Sequence, residues 1–392
     1  MRGQVFEPAK QGSADRARLQ TRGPQKEKAL KSRLAWLWVG LGVAAAGFHY
    51  AVGKDSALAE KFFSRGLYAG WRWIWDHTLG LSPLPWLYVC VAVLLIVLAA
   101  NLFRRMSRPQ PKTATPLTKT IGRAILRIAA WAGGLVFFFY ILWGYNYNRI
   151  GLERQLGLEV SPLDAVELRA EASWASRMSA ESRAAIPGAT AEVLGKGALP
   201  KSLEDELRNA MTSVLRKAGY PAPGRVRVRP FIPGGWMMRF SGTGIYIPYF
   251  SEGYTAANLL PFEKPFTMAH EMAHGYGITD EGGANFLAFL ACAASSVPAV
   301  RYSGYVAYWS YAAGELPRSE LKALSEELSE GMRADLRAAQ ENAARYRGAL
   351  EKLSRKVYAK YLKSQGIDEG MRSYSRFVGM VAAWARKTEA FR

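Results

Sequence analysis

Residues 267–286 read TMAHEMAHGYGITDEGGANF, and the rest of the chain has to be arranged around whatever this stretch builds. On a helix, His270 and His274 stand four positions apart and project from one face, a spacing that lets two imidazoles share a divalent ion. Glu271 is rotated by about 100° from His270. Its carboxylate would therefore lie beside the ion's open position, placed to take a proton from an activated water and pass it to a leaving amine. Thr267, Met268, Ala269, Met272, Ala273, Gly275 and Tyr276 are all uncharged, which suits a helix buried in a domain core. His-Glu-x-x-His is a common pattern, but the chain has only four histidines. His49 lies in an apolar run and His77 in a loop, so His270 and His274 are the only two in the C-terminal part.

That census excludes a third histidine there, so the remaining protein ligand is expected to be a carboxylate. Gly277, just past the helix, is expected in the left-handed conformation that ends a helix and turns the chain back. Asp280 and Glu281 follow that turn. Asp280 is six residues after His274, where metzincin-type proteases place their third ligand. Glu281 would open the next helix, as in gluzincin-type sites, and is preferred, with Asp280 as the alternative. Asn285 lies one turn beyond Glu281 and could hydrogen-bond a ligand from behind.

The net charge of +20 is unevenly spread. Residues 1–33 carry nine Lys/Arg against three acids, and residues 104–127 carry seven with none. Each stretch flanks an apolar run of the length a bilayer requires, about 20 residues. These runs are 34–53, 84–103 and 126–145. Trp36, Trp38, Trp86, Trp143 and Tyr145 sit near their ends, where amphipathic rings favour the membrane interface. Basic punctuation on alternate sides predicts a cytoplasmic N-terminus (1–33) and three transmembrane helices within 34–145. It also predicts a cytoplasmic loop at 104–125 and an extracytoplasmic domain at 146–392. The expected location is the inner cell membrane. Topology accounts for the basic excess, so no nucleic-acid partner is expected; the expected partners are the lipid bilayer and a peptide or protein substrate. No cleavable signal peptide is expected, because polar residues precede the first run and no small-residue cleavage site follows it. Residues 66–81, GLYAGWRWIWDHTLGL, are aromatic and amphipathic, and are expected to lie along the outer membrane surface or to pack on the spans. Cys90 and Cys292 are not expected to pair.

In the outer domain, 202–221 reads as a helix with a Ser202–Asp205 capping box and a Gly219/Pro221 stop. Short strands are expected at 226–231, 236–241 and 244–250, with Pro248 confining the last to an edge. Residues 251–265 read as a polar approach to the motif. Residues 284–297 read as a buried helix, 319–364 as long charged helices and 373–387 as a final amphipathic one. The expected fold is a multi-pass α-helical membrane anchor joined to a mainly α (α+β) domain with a small sheet.

Laid out this way, the chain resembles a bacterial family catalogued as domain of unknown function 3810. The likeness runs through EKFFSRGLYAG (60–70), FYILWGYNYNRIGLERQLGL (139–158) and GTGIYIPYFSEGYTAANLLPFEKPFTMAHEMAH (242–274). It continues through GGANFLAFLAC (282–292), RYSGYVAY (301–308) and SRKVYAKYLKSQGIDEGMRSYSRFV (354–378). The resemblance implies three spans and a zincin-like domain whose motif maps onto His270, Glu271 and His274. Members often carry an acid immediately before Ala-Asn-Phe. This chain has Gly283 there and keeps Glu281 two residues earlier, about 200° away around a helix. Either Glu281 is the ligand, or the site is weakened.

The function these readings predict is zinc-dependent peptide hydrolysis outside the cytoplasm. His270, His274 and Glu281 would hold Zn2+ and Glu271 would act as base and then acid. Strand 244–250 would accept an extended substrate, and Tyr302, Tyr305 and Tyr276 are candidates to stabilise the oxyanion. The alternative is a catalytically weak or inactive zincin-like membrane protein acting as a binding or envelope-maintenance factor.

Overall fold

A computed structural model describes residues 11–107, 116–240, 242–364 and 372–389. The start of the basic tail (1–10) and residues 108–115 of the loop expected on the cytoplasmic side lie outside the described residues. After α1 (Gln11–Val52), a short α2 (Ser56–Leu58) runs through a π-helical stretch (Ala59–Leu67) into α3 (Tyr68–Asp76). Next come α4 (Trp86–Met106) and α5 (Leu117–Leu142). Among the described residues, three helical stretches are long and apolar enough to cross a membrane: Ala29–Val52, Trp86–Arg104 and Thr120–Leu142. They overlap the three apolar runs of the sequence within a few residues.

By contacts the chain forms two units, residues 1–51 with 102–141 and residues 52–101 with 142–392. In the first, α1 and α5 cross at two glycines. A Cβ on Gly42 would stand 2.6 Å from the Cα of Gly133, and one on Gly133 would meet the backbone of Trp38 and Val39. Only glycine permits this approach, the close packing that small residues give apolar helices. The Trp38 ring meets Phe137 edge-on beside it at 6.2 Å.

The second unit takes in residues 52–101, which are the segment ahead of α4 and most of α4 itself, together with residues 142–392. Its helices are α6 (Leu152–Leu156), α7 (Ala165–Ala184) and α8 (Leu203–Lys217). The sheet region follows as β1 (Arg227–Phe231), α9 (Gly234–Arg239), β2 (Gly244–Ile247) and β3 (Glu252–Ala256). Then come α10 (Lys264–Gly275), α11 (Glu281–Ala293) and α12 (Pro298–Gly314). The last helices are α13 (Arg318–Glu326), α14 (Glu330–Ala344), α15 (Ala349–Ser364) and α16 (Arg372–Thr388). One apolar core joins Leu207, Met211 and Leu215 of α8, Met268 and Met272 of α10, Phe286 and Phe289 of α11, Tyr302 and Tyr308 of α12, and Phe377 and Met380 of α16.

Three expectations need correction. Residues 236–240 are not a strand, and 241 lies outside the described residues: Gly234–Arg239 is a helical turn that buries Met237 against Tyr254 and Leu259. The polar approach to the motif contains β3, which is the centre of the sheet, parallel to β1 and antiparallel to β2. All five of its residues are buried, and Glu252 is neutralised by Arg229 at 2.7 Å. Ser202 makes no side-chain cap on α8; Asp205 instead bonds Arg208 and Arg225. Gly219 does end that helix region, with φ of 70°. Both cysteines are free thiols.

Segment 56–76 packs on the sheet side of this unit with its polar face inward. Glu60, Ser64, Tyr68, Arg72 and Asp76, every fourth residue, are buried. Arg72 is wholly buried, holding both Asp76 oxygens at 2.6 Å and donating to the Ser251 carbonyl. Glu60 pairs with Arg149 at 2.9 Å and with Arg65 at 2.9 Å.

Candidate metal centre

The motif residues lie on α10, whose apolar positions pack on the core and whose end is a glycine turn. Gly277 has φ of 85°; its N–H bonds the His274 carbonyl and the Ile278 N–H bonds the Ala273 carbonyl. This pairing is the usual Schellman closure of a helix. The turn brings the Ile278 carbonyl back to accept from His274 Nδ1 at 2.7 Å. Asp280 caps α11 through the Gly283 N–H, which makes Glu281 the first residue of that helix. α10 and α11 pack together, so Glu281 faces the two histidines.

The donor atoms form a triangle. His270 Nε2 lies 3.0 Å from His274 Nε2 and 3.1 Å from Glu281 Oε2, and His274 Nε2 lies 3.8 Å from Glu281 Oε1. These three residues form a group able to hold a metal ion. Behind them, His270 Nδ1 bonds Asn285 Oδ1 at 2.7 Å. Ile278 O is an acceptor only, so His274 Nδ1 carries its proton and its Nε2 offers a lone pair. Lone pairs this close to one another and to a carboxylate repel unless a cation or a proton lies among them.

Glu271 stands beside the triangle under the sheet. A Cβ on Gly244 of β2 would lie 2.8 Å from Glu271 Cδ and would collide with Oε1, and one on Gly253 of β3 would lie 2.9 Å from Glu271 Cβ. Glu271 Oε2 is buried with no hydrogen-bond partner among the described residues. Burial pushes the Glu271 carboxyl up to about 8, against the pull of His270 and with the charge of Glu281 adding to the rise. Burial opposes the charge on His270, but the hydrogen bond and charge of Glu281, with Glu271 and Asn285 adding, hold it up at about 9. For His274, burial and the neighbouring His270 charge bring it down to about 4.

The structure therefore brings His270, His274, Glu281, Glu271 and Asn285 together. Asp280 stands apart as a helix cap and pairs with Arg376 at 3.3 Å; burial raises its pKa. Gly283 supplies the N–H of that cap, and the carboxylate at the cluster comes from Glu281. The three tyrosines are directed elsewhere. Tyr302 donates to Asp335 at 2.7 Å, and Tyr305 packs edge-on against Trp174 and Phe289. Tyr276 is buried, with Arg72, Arg208 and Asp76 as its charged neighbours and its pKa pushed up to about 12, mainly by burial.

Other residues at the site carry no sequence signal of their own. The last carbonyls of α10 are held by side chains from distant segments. Tyr68 donates to Gly275 O at 2.7 Å, Trp143 Nε1 to His274 O at 3.1 Å, and Arg149 to Gly277 O at 2.9 Å. The Trp143 ring also lies edge-on to His274 and tilted against Tyr246.

The family model described as protein of unknown function (DUF3810) matches residues 63–382, taking in α3 through most of α16. No curated protein and no solved structure matches the chain.

Proposed function

The chain belongs to the DUF3810 family of proteins of unknown function, and we propose that it is a membrane-anchored, zinc-dependent peptidase acting outside the cytoplasm. One observation carries this reading: His270, His274 and Glu281 converge next to a buried carboxylate, Glu271, that lies against the free-edge strand β2. Zinc–nitrogen bonds of about 2.0–2.1 Å in a tetrahedron separate neighbouring donors by about 3.3 Å. The 3.0 and 3.1 Å edges of the triangle lie close to that value, and the 3.8 Å edge exceeds it by about 0.5 Å. Nitrogen and carboxylate donors of this kind suit zinc, and Asn285 and Ile278 O orient the two rings from behind. The basic stretches at 1–33 and 104–127 support three spans with a cytoplasmic N-terminus.

When bound, zinc supplies the Lewis acidity that polarises a peptide carbonyl and lowers the pKa of a water. Glu271 takes the proton of the attacking water on its unpartnered Oε2 and returns it to the leaving nitrogen. In the antiparallel pairing of β2 with β3, the Ala256 N–H bonds Thr243 O. By alternation, Gly244 and Tyr246 turn their N–H and C=O groups to the free edge, where an extended peptide can add as a strand.

The test uses the full-length protein in detergent. Zinc should bind at about one ion per chain, and His270→Ala or Glu281→Ala should abolish it while Asp280→Ala retains it. Glu271→Gln should keep zinc and lose cleavage of an unstructured peptide pool. A wild-type protein that takes up no zinc at neutral pH overturns the reading. Zinc without Glu271-dependent cleavage would leave the non-catalytic binding role instead.

A further inference from the structure

The sheet that carries the candidate peptide edge is bolted to the end of an apolar helix. The first turn of α4 is held by β3: the Trp86 N–H donates to Glu252 Oε2 at 3.1 Å and the Leu87 N–H to Tyr254 Oη at 3.3 Å. Tyr88 accepts from the Ile232 N–H at 2.7 Å, fixing the loop after β1 to the same turn. From Trp86 onward α4 is an apolar helix with none of its membrane-length window buried. If α4 spans the bilayer, its first turn marks the outer surface, with Trp86 and Tyr88 in the interfacial belt.

The surface around that turn is built for lipid. Segment 56–76 reverses the arrangement of a helix on a soluble protein. Its polar row is buried, and the row two residues away, on the opposite side of the segment, is exposed and apolar or small. That row holds Leu58, Phe62 and Ile74 with two glycines between them, and Trp73 beside it; all four large side chains are at least half exposed. Ile232 and Trp236, in the segment that Tyr88 fastens, are exposed by 62% and 61%. The Trp75 and Trp86 rings stand 6.1 Å apart and Trp86 Nε1 donates to Leu79 O at 2.7 Å, joining segment 56–76 to the helix end. Exposed apolar side chains beside the end of a membrane-length helix have a natural occupant, the bilayer interface.

The register bounds the distance from the helix end to the chemistry. Ile247 lies opposite Glu252 and Gly244 opposite Thr255. The first turn of α4 reaches Glu252 and, through Tyr88, Ile232 just beyond the Phe231–Ala256 pair. Gly244, against the Glu271 carboxylate, lies between those levels, three residues along the strand from Ile247, or about 10 Å at about 3.4 Å per residue. An extended segment leaving a bilayer covers such a distance in about three to five residues.

Building on the peptidase reading above, we propose that the site acts on membrane-anchored polypeptides and cuts them within the first few extended residues outside the bilayer. The partner surface is the lipid interface itself, which seats the 56–76 face and the Ile232–Trp236 segment and brings β2 to the substrate.

The experiment uses the full chain, zinc-loaded, in vesicles of phosphatidylethanolamine and phosphatidylglycerol. The probe is a synthetic polypeptide with one apolar anchor of about 20 residues and an unstructured tail; the same tail without the anchor is the comparison. Cleavage sites are mapped by mass spectrometry. The proposal expects the anchored tail to be cut at least about tenfold faster, within roughly six residues of the anchor. When a polar insert displaces the original bonds outward, cutting should stay at that height. Phe62→Asp with Trp236→Asp, both exposed, should slow cleavage of the anchored tail severalfold and leave the free tail unchanged. Equal rates on both tails, or cutting that follows the displaced bonds outward, overturns the substrate class and leaves the peptidase reading standing. Cleavage of neither tail, with wild type matching Glu271→Gln, overturns both.

Discussion

Asn285→Ala isolates the contribution of a residue that touches no metal. Its Oδ1 accepts from His270 Nδ1 at 2.7 Å and fixes both the tautomer and the tilt of that ring. Alanine removes the acceptor. In the metal-free protein the ring can swing to another partner, but a ring held by zinc cannot, so the lost bond falls mainly on the bound state. A buried donor left without a partner costs about 1–3 kcal/mol. Loss of such a supporting group costs 10- to 100-fold in metal affinity, or about 1.4–2.7 kcal/mol, and the two ranges agree. Competition with a chromophoric zinc chelator, on the full-length protein in detergent, should show the weakening. Asn285→Asp, which keeps an acceptor and adds charge, should bind at least as tightly as wild type. An Asn285→Ala affinity within twofold of wild type would refute the idea that this contact orients the ligand.

Gly244→Ala should leave zinc content unchanged and lower kcat by about 10²–10⁴, the contribution of a general base, because the new methyl occupies the place of the Glu271 carboxylate; activity within threefold of wild type would contradict that placement. Arg72→Met leaves buried Asp76 with the Arg225 N–H as its hydrogen-bond partner among the described residues, and removing one partner of such a pair costs about 3–5 kcal/mol. Thermal unfolding should show the loss, and an unchanged midpoint would mean that segment 56–76 does not hold this unit together. At pH 7 the metal-free protein keeps His270, at about 9, and Glu271, at about 8, protonated. A cation needs the His270 lone pair and favours an ionised Glu271, so zinc uptake should release protons and weaken as pH falls from about 8 to about 6. Calorimetry in buffers of different ionisation enthalpy measures the release, and a heat independent of buffer would argue against this protonation.

What could be read in the sequence was local. The four-residue spacing of His270 and His274, the left-handed turn at Gly277, the position of Glu281 rather than Asp280 beside the two rings and the place of Asn285 all follow from helix geometry and a short loop. The apolar runs were equally legible, since length and composition suffice to mark them. What failed depended on distant partners. β3 reads as polar because Glu252 finds Arg229 and the start of α4, both far away in the chain. WMMRFS looks like a strand until Met237 is seen to pack under β3, an arrangement that a helical turn satisfies. The tyrosines were chosen for their chemistry, and the fold uses Tyr302 and Tyr305 to fill a helical core. Residues 66–81 read as aromatic and amphipathic, but the buried charges of segment 56–76 have meaning only once Arg149, Ser251 and Arg225 are beside them.

The clamp on the last carbonyls of α10 bears on how the protein is made. Tyr68 precedes Gly275 by 207 residues, and Trp143 precedes His274 by 131. On the ribosome both must wait, beside their apolar helices, for a partner that has yet to be synthesised. Contacts of such long range form late in folding. The five letters of the motif are therefore a promise that the N-terminal third of the chain has to keep. A nascent or wrongly threaded chain carries the same histidines without the side chains that set them, so the cluster is complete only once the whole unit has assembled.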